Sequence, residues 1–177
     1  HFRQRMEPLV EAEHDHLKAE LPKQVGHPKA TVVTGYLIFD DAVHEKPPGR
    51  KMDGLGSHYS NTEQKVVSGH CLFTGLYSLL GQRSPLKARM YCQETVCREE
   101  KIPFQSKIAM AIEEIGQFEP VAGTQTHVLI DSWYHCKQVR RAAHQRGWDV
   151  SGGLKSNRMK RLKQSDGSRE WLKLSAY

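Results

Sequence analysis

Two apolar runs that are each followed by an acidic residue constrain the fold of this chain most strongly. Residues 31–39 are rich in β-branched and aromatic side chains, and Asp40 and Asp41 follow them at once. Residues 127–130 form a second run, which Asp131 follows. Because the last four residues of the first run are all apolar, this run predicts a central strand that is buried on both faces. The two runs therefore predict two interior strands of a sheet, each ending in a carboxylate.

The remaining patterns predict an α/β fold. The three- and four-residue spacing of Ile108, Ala111, Ile112 and Ile115 indicates an amphipathic helix. Besides the two runs we predict strands at 65–80 and 84–91 with a hairpin link at 81–83, helices at 103–118 and 133–146 (the second with Ser132 as its N-cap), and a strand at 148–151. The predicted order is β-β-β-α-β-α-β, and a sparse polar helix at 6–21 precedes it.

Size and composition are those of a globular domain. The 177 residues include 38% hydrophobic and 26% charged residues, which excludes a disordered chain. No apolar run approaches the ~20 residues that a membrane-spanning helix needs. The first residues also lack the apolar stretch of a secretory signal. We therefore expect an intracellular protein that does not enter a membrane.

Two groups of residues that look like metal sites are not interpreted as such. The four cysteines lack the paired spacing of a zinc site, so we expect free and mostly buried thiols at Cys71, Cys92, Cys97 and Cys136. His14 and His16 are two positions apart on the predicted first helix, where their side chains diverge. We expect both histidines to be solvated.

The positive charge is concentrated at the end of the sequence. Residues 136–177 carry eleven Lys or Arg against three Asp or Glu, a local net charge of +8, whereas the preceding 135 residues sum to −2. Such a block favours an anionic partner, and nucleic acid is the first candidate. The alternative is a solvated basic face.

The two strand-end acids predict a phosphoryl-transfer site. Asp41 and Asp131 would be held by rigid backbone while their oxygens face outward from the sheet. Mg²⁺ takes few protein ligands and keeps several waters, so two such carboxylates suit it. A pair of these ions activates a nucleophile and stabilises the leaving oxygen of a phosphodiester. Structural roles for strand-end aspartates remain the alternative.

Four segments resemble the DDE-type transposases of bacterial insertion sequences. They are residues 40–46, 54–59, 126–134 and 153–158, in that order along the chain. The resemblance covers residues 36–177 and implies a ribonuclease H-like mixed sheet flanked by helices, incomplete at the C-terminus. It also implies an enzyme that cuts and rejoins DNA with three acids and Mg²⁺ (or Mn²⁺).

Carried over by position, Asp41 is the first acid and Asp131 the second, both catalytic and both metal ligands. Asp40 is the alternative first ligand. Ala42 departs from the family pattern, which usually has Thr there. The third acid of the family lies on a late helix beyond a β-rich insertion. Glu170 resembles the opening of that insertion and is not accepted as this acid, so we expect an inactive, truncated catalyst.

The resemblance also indicates contacts to double-stranded DNA. Lys46 and Arg50 follow the first acid and are phosphate-contact candidates, with solvated loop charges as the alternative. Lys155, Asn157 and Arg158 are candidates for reading the DNA backbone. The partners implied are the element ends, target DNA and a second transposase protomer, in the nucleoid-associated cytoplasm of a bacterium.

We therefore predict a transposase catalytic-core fragment. Its expected division is an N-terminal helical remnant at 1–30, a partial catalytic core at 31–152 and the start of a basic β-rich insertion at 153–177. The alternative function is a non-catalytic DNA-binding module that uses the basic C-terminal segment. A phosphatase or nucleotide-binding enzyme is a third interpretation, but the sequence contains neither G-x-x-x-x-G-K-[ST] nor G-x-G-x-x-G.

Overall fold

The computed structural model describes residues 32–47, 52–163 and 167–173. The elements within these ranges are, in chain order, β1 (Thr34–Glu45), β2 (Gly56–Ser60), β3 (Lys65–Leu79), β4 (Gln82–Pro85), β5 (Arg89–Tyr91), α1 (Glu94–Glu99), α2 (Lys107–Gln117), β6 (Gln125–Ile130), α3 (Lys137–Gln145), β7 (Asp149–Gly152), β8 (Met159–Lys163) and β9 (Arg169–Lys173). The predicted helix at 6–21, and with it the predicted segment 1–30, lies outside the described residues.

Strand β1 is central in a mixed sheet, which confirms the predicted α/β class. The sheet order is β2-β3-β1-β6-β7, and β4 and β5 also pair with β3. β1 is antiparallel to β3 and parallel to β6, and β6 is parallel to β7. β8 and β9 form a separate antiparallel hairpin. The main sheet therefore changes from antiparallel to parallel at β1.

The predicted hairpin between β3 and the next strand is present, but its second strand is broken. Leu80 and Gly81 form the two-residue turn, both at positive φ (51° and 83°), as a tight hairpin with right-handed strand twist requires. The predicted strand 84–91 splits into β4 and β5, which pair with different parts of β3. Pro85 ends β4 because it has no N–H to donate to a neighbouring strand.

The core lies on one face of the sheet, so the expectation that β1 is buried on both faces is wrong. Leu37 and Phe39 are fully buried, whereas Ile38 is half-buried and Tyr36 is exposed. Side chains alternate along a strand, so the odd-numbered residues of β1 face the core. The buried cluster comprises Leu37, Phe39, Phe73, Tyr77, Leu79, Met110, Ala111, Ile115, Phe118, Val121, Val128, Ile130, Tyr134, Val139, Ala143 and Trp148.

Both predicted helices form, and both begin later than expected. The first is α2, where the Ser106 hydroxyl accepts a hydrogen bond from the Ala109 amide at 3.1 Å and caps the first turn. The second is α3, which begins at Lys137 and not at Trp133, so the expected N-cap role of Ser132 is wrong. The carboxylate of Asp131 accepts hydrogen bonds from the amides of Trp133 and Tyr134. These bonds stabilise a turn where the sequence predicts the first turn of the helix.

Four elements, β2, α1, β8 and β9, have no individual counterpart in the sequence prediction. Neither β2 nor α1 was predicted, and β8–β9 falls in the segment described only as basic and β-rich. Each is short, and a short element carries too few residues to show a period. Within the described part of the chain, no helix has the length and apolar character needed to cross a membrane.

The close packing of Gly35 against Tyr77 generates a test of this fold. A Cβ atom at Gly35 would lie 2.6 Å from Cζ of the Tyr77 ring, which is 1% exposed. We expect Gly35→Ala to lower the free energy of unfolding by about 1–3 kcal/mol because this core cannot expand. The control is Gly116→Ala in α2, where a Cβ would meet nothing within 4 Å. That change should be neutral or stabilising by up to about 1 kcal/mol. Equal effects in urea denaturation would contradict this packing.

Candidate functional site

The two predicted acids lie where neighbouring parallel strands separate. Phe39 and Ile130 are the last paired residues of β1 and β6. Asp40 and Asp41 follow on one strand and Asp131 on the other. The sequence predicted that the first strand ends at the acid. β1 instead continues to Glu45 in its pairing with β3, so Asp41 lies within the strand. At Asp41, β1 is still paired with β3 on one side. On the other side it has no strand beside it, because β6 ends at Ile130.

The structure distinguishes Asp41 from Asp40. Asp40 is exposed, and its Oδ1 accepts a hydrogen bond from the Asp41 amide at 2.8 Å. Asp41 lies on the core-facing side of β1, and its side chain is 18% exposed. The two neighbouring side chains therefore point to opposite faces of the sheet, as alternation along a strand requires. Of the two candidates for the first acid, Asp41 is therefore the one that lies among packed side chains.

The carboxylate of Asp41 receives three side-chain hydrogen bonds. The Tyr134 hydroxyl donates to Oδ1 at 2.8 Å. The Lys107 ammonium donates to Oδ2 at 2.6 Å, and the Cys71 thiol donates weakly to the same oxygen at 3.4 Å. Hydrogen bonds between charged partners are shorter and roughly twice as strong as neutral ones. The Asp41 side chain is therefore held in one orientation by residues from α2, β3 and the turn after β6.

These contacts also determine the protonation of the cluster. Burial raises the pKa of Asp41, but the hydrogen bonds from Lys107 and Tyr134 outweigh it and leave this pKa below its ordinary value. Burial lowers the pKa of Lys107, and the contacts with Asp41 and Cys71 outweigh it and raise this pKa. Burial raises the pKa of Cys71 to about 11, and it also raises the pKa of Tyr134. At neutral pH the cluster is a carboxylate and an ammonium beside a neutral thiol and a neutral phenol.

Asp131 is exposed and is oriented by the backbone of the turn that follows it. Its Oδ1 accepts hydrogen bonds from the amides of Trp133 and Tyr134, at 2.9 and 3.1 Å. Tyr134 therefore contacts both acids, Asp131 through its main chain and Asp41 through its hydroxyl. Because Tyr134 is fully buried, it is a fixed connection between them.

Asp41 and Asp131 are the two carboxylates that the sequence predicts as ligands of a divalent cation. Mg²⁺ is typically bound through one or two carboxylates together with waters and substrate phosphates. Asp41 already attracts a cation, since the Lys107 ammonium contacts it. Within residues 32–47, 52–163 and 167–173, no group of three or more His, Cys, Asp or Glu could hold a metal ion.

Two histidines lie near this cluster. The His58 ring is 7% exposed, stacks edge-on with Tyr91 at 6.1 Å and has a buried Nε2 without a hydrogen-bond partner in the described chain. Burial lowers the pKa of His58, and the charge of Lys107 lowers it further. His70 places its Nε2 3.0 Å from the Asp53 carbonyl oxygen. His58 is therefore neutral at pH 7 and lies within the electrostatic reach of the Asp41 site.

The basic residues predicted to contact DNA divide into separate groups. Lys155 places its Nζ 4.4 Å from the centre of the exposed Trp133 ring, and Arg158 donates to the carbonyl oxygen of His135. Both therefore lie against the turn that follows Asp131. Asn157 is exposed in the intervening turn, Lys46 is half-buried just after β1, and Arg50 lies outside the described residues.

Sequence reasoning did not identify Lys107, Tyr134 and Cys71 as site residues. Lys107 is 66 positions from Asp41 and Tyr134 is 93, so no local pattern links them. Tyr134 appeared within a matching motif, but only as part of a predicted helix. Cys71 was correctly expected to be free and buried, as were Cys92 and Cys97, and Cys136 is half-buried.

Comparisons with protein-family models, with curated proteins and with solved structures find no match to this chain.

The hydroxyl of Tyr134 provides a direct test of the site. Tyr134→Phe keeps the buried ring but removes the donor to Asp41, and we expect it to lower the free energy of unfolding by about 1–3 kcal/mol. The control is Tyr36→Phe, because Tyr36 is 41% exposed on the opposite face of the sheet. Chemical denaturation of both variants measures the difference. A Tyr134→Phe variant as stable as the control would show that this hydrogen bond is unimportant.

The lowered pKa of Asp41 predicts a pH-dependent stability. The carboxylate contributes stability above its unfolded pKa, and this contribution is lost as pH falls through the folded pKa. We expect the stability difference between the wild type and Asp41→Asn to shrink from about pH 6 to about pH 3. Urea denaturation across this range measures it, with exposed Asp40→Asn as the control. A difference that is constant with pH would contradict the ionic contact.

Proposed function

We propose that this chain carries the first two acidic residues of a DDE-type transposase catalytic core. In this proposal Asp41 and Asp131 bind Mg²⁺ or Mn²⁺ for cleavage of a DNA strand and its transfer to a target, in the transposition of an insertion sequence. One observation carries the proposal: the acids follow the last paired residues of two adjacent parallel strands, Phe39 of β1 and Ile130 of β6. In open α/β sheets, ligands bind beyond the carboxyl ends of such strands.

The strand order supports the ribonuclease H-like part of the proposal. Along the chain, β1, β3 and the β4–β5 pair come first, followed by α2, β6, α3 and β7. This order corresponds to the predicted β-β-β-α-β-α-β succession only if the β4–β5 pair counts as one strand and β2, α1, β8 and β9 are set aside. The antiparallel pairing of β1 with β3 and its parallel pairing with β6 bring the first and second acids to the same region of the sheet.

The chain's own residues would orient the reacting groups. Tyr134 holds the Asp41 carboxylate through its hydroxyl and the Asp131 carboxylate through its amide. Bound divalent ions would supply the charge that activates a water or a 3′-hydroxyl and neutralises the leaving oxygen. Because the third acid that the resemblance implies is not assigned among these residues, we expect this chain alone to be inactive in strand cleavage.

The basic segment supports DNA as the partner. Residues 136–177 have a net charge of +8, and Lys155 and Arg158 pack against the turn next to Asp131. Contacts of Lys and Arg with phosphates give affinity without sequence preference. We propose element-end and target DNA as the partners, together with a second transposase protomer that the resemblance implies.

A specific observation favours the alternative, a non-catalytic DNA-binding module. The charge of Asp41 is already neutralised by Lys107, and the described residues contain no group of three metal-binding side chains. An ion pair of this kind also serves as a structural link between β1 and α2. In this alternative, DNA binding through the basic segment is the whole function.

The test measures metal binding and DNA nicking by the same protein. We expect the chain to bind Mn²⁺, and we expect Asp41→Asn and Asp131→Asn each to weaken this binding by about tenfold or more, because each removes one of two ligands. Isothermal titration gives the affinity, and supercoiled plasmid with Mn²⁺ reports nicking. Asp40→Asn is the matched control, since its carboxylate lies next to the site but faces away from it.

Each outcome separates the two functions. Nicking or Mn²⁺ binding that is lost in both the Asp41 and the Asp131 variants supports the transposase proposal. Equal Mn²⁺ binding by the wild type and both variants contradicts it. Salt-sensitive DNA binding without any dependence on Mn²⁺ or on the two acids would favour the DNA-binding module.

A further inference from the structure

Lys107 lies in a position that local structure disfavours. It is the first residue of α2, where the positive end of the helix dipole repels a cation, and the first turn of α2 contains no acid. Its side chain is nevertheless only 17% exposed. Lysine is among the residues least often buried without a charged partner. The position therefore requires a strong compensating contact.

Asp41 provides that contact. The Lys107 ammonium is 2.6 Å from Oδ2 of Asp41, and it also lies 5.1 Å from the centre of the Tyr91 ring. The other oxygen of Asp41 accepts the Tyr134 hydroxyl. Both oxygens are thus engaged, and the only cation that contacts the carboxylate within the described chain is Lys107.

Of the two side chains that engage the oxygens of Asp41 most closely, Lys107 is the one that can exchange more easily. The Lys side chain is a flexible four-carbon stem with a compact charge, whereas Tyr134 is buried and fixed. A divalent ion approaching Asp41 would meet the ammonium at the same carboxylate, and like charges at that separation repel strongly. Metal binding and the Lys107 contact therefore compete, while the Tyr134 contact is compatible with both.

We propose that Lys107 is a built-in counter-cation of the Asp41 site, which occupies the carboxylate in the metal-free protein and moves to a DNA phosphate when a divalent ion binds Asp41. This inference rests on the proposed function, which supplies both the ion and the phosphate. It assigns Lys107 a role in positioning and not in bond making. It also explains how a half-buried carboxylate stays charged and ordered before metal arrives.

The first experiment compares Mn²⁺ affinities by isothermal titration. Lys107→Met keeps the length of the side chain and removes the competing charge, so Mn²⁺ should bind about tenfold more tightly or better than to the wild type. Lys137→Met is the matched control, because Lys137 is also the first residue of a helix, α3, but is exposed. Lys107→Arg, which retains the charge, should bind Mn²⁺ as the wild type does.

The second experiment uses the unaltered protein, so that it does not depend on the folding of a variant. Amine acylation followed by mass spectrometry reports the accessibility of each lysine ammonium. Mn²⁺ should increase the labelling of Lys107 and leave that of Lys137 unchanged. Unchanged labelling of Lys107 at saturating Mn²⁺ would overturn the exchange.

DNA binding tests the second half of the proposal. With Mn²⁺ present, Lys107→Met should weaken binding of a DNA duplex, because one phosphate contact is lost. Without metal the same variant should lose clearly less affinity, since the wild-type ammonium is then held by Asp41. An equal loss of affinity with and without Mn²⁺ would overturn the phosphate contact.

The failures of the two proposals are distinguishable. Mn²⁺ binding that depends on Asp41 but is unchanged in Lys107→Met overturns the counter-cation and leaves the proposed function intact. The absence of Mn²⁺ binding by the wild type and by Lys107→Met overturns both. Tighter binding in Lys107→Met, together with metal-dependent labelling of Lys107, supports both.

Discussion

The pairing of β1 with β3 on one edge and with β6 on the other is the constraint on which the candidate site depends. These pairings place Asp41 beside β3 and bring the end of β6 next to it. Because β6 stops at Ile130, the backbone after it is free to turn, and the Asp131 carboxylate stabilises that turn by accepting two amides. This turn positions Tyr134 in the core, where the centre of its ring lies 5.8 Å from the centre of the Phe73 ring.

Tyr134 and Lys107 give the Asp41 carboxylate two different kinds of partner. Tyr134 is buried, neutral and connected to both acids, so it acts as a rigid support. Lys107 is charged and contacts the carboxylate from the first turn of α2. It therefore balances the charge of Asp41 and makes no link to Asp131. In our proposal, this combination of one rigid and one exchangeable partner keeps the Asp41 carboxylate ordered in the metal-free protein and leaves it accessible to a divalent ion.

The sequence predicted the sheet better than it predicted the ends of its elements. The regular strands and the amphipathic helix α2 follow from hydrophobic periodicity, because burial imposes a period on each. The start of α3 was wrong because Asp131 competes for the amides that a helix would use, and this competition has no periodic signal. The burial of β1 on both faces was wrong because apolar residues in sequence do not show what covers them, and here Ile38 is only half-buried.

By itself the sequence determined the α/β class, the two acids at the paired strands and the basic character of residues 136–177. These properties follow from local composition and spacing, which need no partner to be recognised. Only the tertiary structure decided that Asp41 and not Asp40 faces the core, and that Lys107, Cys71 and Tyr134 meet at its carboxylate. Contacts between residues 30 to 93 positions apart depend on how sheet and helices pack, because no local pattern records which distant side chain completes a site.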